Sequence, residues 1–339
     1  MRLLKLFLAG IALLMVSCNS TTNLGPYISI TGFTQGTTFS MIYQSPTTDT
    51  LDLSGDVEQL LANFDMSLST YIDSSNISRI NRNETDLVDE YFQVVFDESK
   101  RINEISGGVF DITVGPLIDA WGFGRGGKLD MNQQVIDSIL QYVGMDKVEI
   151  VDGKVKKDIP GIRFDVNAIA QGYSVDLVSE YFESRKIQNY MVEIGGELRT
   201  HGLSSRGDKW KIGVDKPFYG NQAVGSSLQA VIDMTDKSLA SSGNYRKFLD
   251  VDGKKIVHTV DPLTGYTKPS NLLSVTIITD ECITADGLAT ACMALGLEKA
   301  KEFILQQEGV DALFIFSDDD GLFFEWMTDG MKKMIEDRK

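Results

Sequence analysis

Apolar and polar positions alternate from Tyr27 to Tyr43 (ISITGFTQGTTFSMIY), and this period of two predicts two strands around Gly32 and Gly36. From Asp56 to Leu68 (DVEQLLANFDMSL) the apolar spacing lengthens to three and four, which predicts a helix running into Ser69-Thr70-Tyr71. A second start signal follows at Asp73-Ser74-Ser75, before ISRIN. Tyr91 to Ile105 reads as an amphipathic helix stopped by Gly107-Gly108, and Asn132 to Val143 as another. Val148 to Val155 is a hairpin around Asp152-Gly153. RFDVNAIAQGYSVDLVSEYFESR changes from strand to long helix near Ala168.

Strands are then predicted at Tyr190–Ile194, Leu198–His201, Trp210–Val214 and Leu228–Met234, the first ending in Gly195-Gly196. Ser238 to Leu249 leads to a hairpin at Asp252-Gly253 and a short strand ending in His258. Leu272 to Ile278 is an apolar strand feeding a helix, and Glu298 to Gln307 a further helix. A strand pair around Asp318-Asp319-Asp320-Gly321 and a last helix from Asp329 complete the chain. Strands mostly join strands through tight turns, with helices inserted between groups of them. That pattern is α+β with largely antiparallel sheet.

The first 17 residues stand apart. MRLLK is basic, LFLAGIALLMV is an apolar run too short to span a bilayer as a mature helix, and Ser17-Cys18 follows. A small residue before a cysteine at that point resembles a bacterial lipoprotein signal. The expected organisation is a signal peptide over 1–17, a tether over 18–26 behind a lipidated Cys18, and one catalytic domain over 27–339. Such a protein is extracytoplasmic, held by acyl chains such as palmitate on the inner membrane and facing the periplasm. One acyl chain holds only marginally, so several matter for stable anchoring.

The composition of the whole 339-residue chain, 42% hydrophobic and 24% charged with 7 prolines, is that of a folded protein. A net charge of −16 argues against nucleic acid as a partner. A polyanionic cofactor would need a metal or a local basic group. Cys282 and Cys292 are ten residues apart across the start of a predicted helix; with both inside that helix they are too distant for a disulfide, and they read as core residues.

Gly122, Gly124 and Gly127 match G-x-G-x-x-G, and Gly122 to Lys128 matches most of a P-loop. Both motifs require strand, glycine turn and helix in direct succession, and Leu129 occupies the Ser/Thr position. A flexible loop near the site, with Trp121 as a stacking surface, is the better expectation.

The chemistry gathers at KIVHTVDPLTGYTKPSNLLSVTIITDECITADGLATACMALG, Lys255 to Gly296. His258 is one of two histidines, and Asp261-Pro262-Leu263-Thr264-Gly265 makes a turn. The helix beyond carries Thr284 and Asp286 in its first turn, with Thr290 four residues after Asp286 and on its face. Their oxygens suit Mg²⁺ or Ca²⁺ better than zinc. Spacing leaves an alternative open, in which Thr284 caps the helix, Asp286 complements its dipole and Thr290 packs. Histidine as a residue type can serve as a general base near neutral pH, which makes His258 the candidate, whereas His201 reads as structural.

Eight ordered motifs give these residues a common meaning: QGTTFSMIY, LSTYIDSSNISRIN, GGVFDITVGPLIDAWGFG, FDVNAIAQGYSVDLV, EIGGELRTHG, SLASSGNYRKF, HTVDPLTGY and TADGLATACMALG. The chain resembles the ApbE family of FAD:protein FMN transferases from about Thr31 to Gly296. The resemblance implies one large T-fold-like catalytic unit that transfers FMN from FAD to a Thr or Ser hydroxyl of a partner protein, releasing AMP. It places metal ligation on Asp286, Thr290 and the carbonyl of Ala168. It places FAD contacts on Gln35, Tyr71, Ala120, Trp121, Gly122, Asp165, Gln171 and Val260, and the base on His258. The flavin would lie against Tyr71 or the Trp121 loop, and the acceptor would be a membrane redox pump subunit or another extracytoplasmic flavoprotein. Gln35 stands where many members carry Met, and DVNAIAQG where DLGGIAKG is commoner. The alternatives are a metal-dependent FAD pyrophosphatase, which the same residues would serve, and a non-catalytic FAD-binding lipoprotein.

Overall fold

The computed structural model describes residues 24–217, 228–244, 248–251, 254–257, 259–267, 270–318 and 320–336. Cys18, His258 and the Asp252-Gly253 turn lie outside them. In chain order, β1 (Tyr27–Thr34) and β2 (Thr37–Gln44) precede α1 (Ser54–Leu68), α2 (Asn76–Asn81), α3 (Glu90–Ile105), α4 (Gly115–Trp121) and α5 (Gln133–Leu140). The hairpin of β3 (Val148–Val151) and β4 (Lys154–Lys157) leads to α6 (Ala170–Ser184). Next come β5 (Tyr190–Ile194), β6 (Glu197–His201), β7 (Trp210–Asp215), β8 (Leu228–Met234), β9 (Lys237–Gly243), β10 (Phe248–Val251), β11 (Lys254–Val257) and β12 (Leu272–Thr279). Helices α7 (Cys282–Leu295) and α8 (Leu297–Ile304), strands β13 (Asp311–Ser317) and β14 (Phe323–Met327), and α9 (Asp329–Glu336) finish the chain.

Eight strands form one sheet in the order β1-β2-β5-β6-β9-β12-β13-β14, antiparallel at every pairing. The expected α+β architecture is therefore the observed one. Alternation places Phe39, Met41 and Tyr43 of β2 inward against Val57 and Leu61 of α1 and Val178 and Phe182 of α6. The central β12 is covered on both faces, so its run LLSVTIIT is almost continuously buried. Val275 and Ile277 meet α7 on one side, while Ile278 joins Trp210, Ile232 and Met331 on the other. Each such side chain contributes roughly 1.5–3 kcal/mol on leaving water.

Local signals explain the helix starts. Ser75 accepts the Ser78 N–H, Asp89 the Phe92 N–H and Asn132 the Val135 N–H. Helix α7 differs. Eleven of its fourteen residues are buried, so it is a core helix with no solvent face, and its N-cap position, Glu281, makes no side-chain cap.

Residues 122–128 carry no helix or strand, as expected of a loop, and GPLIDAW just before them forms α4 with Pro116 in its first turn. Two local expectations are corrected. Residues 162–166 form no strand and make one bridge, Val114↔Arg163. Gly32 lies inside β1 against the Phe39 ring, and the turn sits at Gln35-Gly36.

Candidate functional site

Helices α6 and α7 are held by two carboxylates, each serving the other helix. The first turn of any helix leaves its N–H groups without partners. Asp286 of α7 accepts the Gly172 N–H of the first turn of α6 at 2.9 Å. Asp176 of α6 accepts the Cys282 and Ile283 N–H groups of α7 at 2.9 and 2.8 Å. Gly172 permits the approach, since a Cβ there would stand 2.4 Å from the Cys282 carbonyl oxygen and 2.8 Å from Asp286 Cβ. Burial pushes the Asp286 carboxyl up to about 7, against the Gly172 hydrogen bond that favours its ionised form.

Thr290 lies one turn beyond Asp286, half-buried, and its hydroxyl meets that of Ser242 on β9 at 3.2 Å. Ala168 occupies the turn that enters α6, four residues before Gly172. The sequence motif had grouped Thr284 with these residues, but its hydroxyl donates to Glu98 of α3 at 2.7 Å. Two residues along a helix is more than half a turn, which is why Thr284 and Asp286 face apart.

The three residues that the family resemblance assigns to a metal offer hard oxygens: a buried carboxylate, a threonine hydroxyl and a backbone carbonyl. They fit Mg²⁺ or Ca²⁺ in chemistry. Among the described residues no cluster of three or more His, Cys, Asp and Glu stands together, and Cys282 and Cys292 are buried thiols.

The first turn of α6 also faces two strand turns. Gln35, at φ 50° in the β1–β2 turn, accepts from Ser174 Oγ at 3.5 Å, while its own Nε2 is buried without a partner. Gly195, at φ 66°, lets the β5–β6 turn close on Gln171, whose Nε2 would stand 1.9 Å from a Cβ there. Glu193 holds that turn by accepting the Gly196 N–H at 2.8 Å, and burial raises its carboxyl above the usual range.

Tyr71 is 62% exposed, and partial burial followed by the nearby Asp165 carboxylate raises its phenol. Asp165 turns the chain ahead of α6 by accepting the Asn167 N–H at 3.0 Å. Asn81 of ISRIN clamps Phe164 beside it, donating at 2.8 Å and accepting at 2.7 Å. Arg125 donates to Asp73 at 2.6 Å and to the Thr70 carbonyl at 3.3 Å, so the glycine loop reaches back to the Tyr71 segment.

Trp121 is not a stacking surface. It is 8% exposed at the end of α4, and its indole donates to the Gly265 carbonyl at 2.9 Å. Val260 packs in the same apolar cluster, Ala120 is buried, and Gly122 ends α4 at φ 88°. The glycine run therefore follows a helix end, not a strand. The Asp261–Gly265 turn forms as expected, with Gly265 N–H on the Asp261 carbonyl at 2.7 Å. His201, read as structural, pairs with Asp236 at 2.7 Å and packs on Tyr190.

Sequence reasoning passed over Asp176, Arg199 and Ser242, although each lies inside a quoted motif. Arg199 holds Asp176 at 3.1 Å and Glu183 at 3.3 Å. The available signal was periodic. Asp176 is four residues from Gly172, as Asp286 is from Cys282, so an acid recurs one turn after each contact.

Residues 35–314 match the model of the ApbE family. A FAD:protein FMN transferase of Vibrio cholerae is 33% identical over 95% of this chain and 96% of its own length. One of Haemophilus influenzae is 34% identical over 97% of both chains. Among solved structures, the flavin transferase ApbE from Vibrio cholerae superimposes with a TM-score of 0.81 at 33% identity, covering 91% of this chain and 99% of that one. The apo flavinyl transferase ApbE of Pseudomonas stutzeri gives 0.81 at 29% identity, covering 92% and 98%.

Proposed function

The chain belongs to the ApbE family, and from that premise we propose that it transfers the FMN part of FAD to a protein hydroxyl. The observation that carries the reading to particular residues is the buried Asp286, one turn from Thr290 and bonded to the first turn of α6. Asp286, Thr290 and the Ala168 carbonyl would hold Mg²⁺, with Ca²⁺ as the other hard cation. When bound, such a cation neutralises pyrophosphate charge.

The chain's own groups supply the rest. Tyr71 offers an exposed ring to the isoalloxazine. Gln35 and Gln171 present amides beside the α6 turn, and Asp165 shapes the segment ahead of it. Trp121 holds the 260–267 turn through Gly265 and shares an apolar cluster with Val260, with Ala120 and Gly122 beside it at the end of α4. His258 takes the proton of an acceptor Thr or Ser as its oxygen attacks the phosphorus on the FMN side. The phosphorus–oxygen bond to the AMP half then breaks, AMP leaves, and the acceptor carries a phosphoester-linked FMN. Lipid attachment at Cys18 would keep this site beside a membrane-bound acceptor facing the periplasm.

The test is to incubate the protein with FAD, Mg²⁺ and a purified acceptor domain and to follow acceptor mass and free FMN. Transfer predicts a mass gain of one FMN with AMP release. FMN without acceptor labelling would make the chain a pyrophosphatase, and intact FAD throughout would sink both. His258→Ala should stop transfer while FAD still binds. Cys18→Ala should move the protein from the membrane to the soluble fraction.

A further inference from the structure

The cation reading names Asp286 and Thr290 but leaves open what fixes the helix that carries them. Helix α7 lacks a cap of its own: Glu281 makes no side-chain bond at the N-cap position. Its first two N–H groups are instead taken by the two oxygens of one carboxylate, Asp176, at 2.9 and 2.8 Å. That carboxylate belongs to α6, is 3% exposed, and is itself held by Arg199 at 3.1 Å. Arg199 also reaches Glu183, which accepts from the Tyr190 hydroxyl at 2.6 Å. A two-point bond fixes both the rotation and the rise of α7 against α6. One turn along α7 is Asp286, and two turns along is Thr290.

We propose that Asp176 is a positioning residue for the cation site, and that its bond to Cys282 and Ile283 sets where Asp286 and Thr290 stand relative to the Ala168 turn. The inference rests on the cation reading above. Asp176 is too deeply enclosed to touch substrate, and it acts only through α7. Partners that orient metal ligands commonly cost 10–100-fold in affinity when changed. Asp176→Asn keeps the shape but offers one acceptor oxygen where two N–H groups need one each, so α7 is released at one of its two points. Arg199 acts one step further out, and its loss should weaken the arrangement less.

The experiment uses the full chain and Mn²⁺ as the probe, titrated without FAD and read by its paramagnetic resonance signal. Wild type, Asp176→Asn, Arg199→Gln and Asp286→Ala are compared at a temperature where circular dichroism shows each folded. Asp286→Ala should lose binding, Asp176→Asn should bind about 10-fold or more weakly, and Arg199→Gln should fall between wild type and Asp176→Asn. In the transfer assay, saturating Mg²⁺ should restore the Asp176→Asn rate to within about two-fold of wild type, a split that general destabilisation does not produce. If Asp176→Asn does not fold, Arg199→Gln carries the same test. Wild-type Mn²⁺ affinity in a folded Asp176→Asn or Arg199→Gln, with binding lost in Asp286→Ala, overturns the positioning role alone. Undiminished binding in Asp286→Ala overturns the cation reading and this inference with it.

Discussion

Asp176 and Asp286 are exchanged caps: the carboxylate of each closes the first turn of the helix that carries the other. Gly172 faces Asp286 and Cys282 faces Asp176, so the two helices run antiparallel where they touch. The residue proposed to bind the cation is thus also part of the scaffold, and the two roles separate by substitution. Asp286→Asn keeps an acceptor for the Gly172 N–H while removing a charge that burial disfavours. The expected outcome is a cation-free protein at least as stable as wild type at pH 8, with transfer reduced at least 100-fold. Thermal unfolding and the FMN-transfer rate check both halves.

Asp176 predicts a pH dependence of stability. Burial outweighs its two N–H bonds and Arg199, and pushes its carboxyl up to about 6. A carboxyl raised in the folded state adds stability below its unfolded value, near 4, and that contribution is lost as pH climbs through 6. Between pH 4.5 and 7.5 this is worth ~2 kcal/mol. Urea unfolding at both pH values should therefore show a larger drop for wild type than for Asp176→Asn. Equal drops would mean the carboxyl is ionised throughout.

Gly172→Ala should push α6 and α7 apart, since the added carbon would lie 2.4 Å from a backbone oxygen. Overpacking of this kind costs ~1–3 kcal/mol. Because the same displacement moves Asp286, transfer should fall together with stability. Gly55→Ala is the control, since that α1 position has nothing within 4 Å. Denaturant unfolding and transfer rates on the two variants distinguish a local clash from a general intolerance of alanine.

Tyr71 and Trp121 should respond in opposite ways. Tyr71 is exposed and packs little, so Tyr71→Ala should weaken FAD binding about 10-fold with the melting temperature unchanged, in line with a ring contact of ~1.5 kcal/mol. Trp121→Phe strands the buried Gly265 carbonyl at a cost of ~1–3 kcal/mol, so it should lower the melting temperature while FAD affinity stays within a few-fold. Flavin fluorescence titration beside thermal unfolding reads both. A large affinity loss in Trp121→Phe with no thermal effect would restore Trp121 as a stacking surface.

Much of this was legible in the chain because local physics decided it. Alternation announced β1 and β2, Ser75 announced α2, and Cys282 and Cys292 were read as core residues of the helix that became α7. Helical spacing placed Asp286 and Thr290 one turn apart on the same helix, as α7 shows. Illegible were contacts between elements distant in sequence. The turn of Thr284 toward Glu98 depends on where α3 packs, and the burial of Trp121 depends on a carbonyl 144 residues away. Asp176 looked like an ordinary helix acid, because the N–H groups it serves lie more than 100 residues downstream. Helix α4 was hidden by its flanking glycines, and Pro116 signalled its start only once the first turn was known.

The exchanged caps also bear on how the site comes into being. The Val166 carbonyl accepts the Ala170 N–H locally, but the Gly172 N–H of α6 meets its acceptor only when Asp286, 114 residues later, has been synthesised and docked. Helix α7 in turn finds its cap 106 residues behind it. Contacts of such sequence separation form late and slowly, after loop entropy has been overcome. Closure of these two helix ends therefore waits on contacts that exist only once α7 has been made. A chain cut short before α7 would leave α6 with an open end, however complete the strands around it.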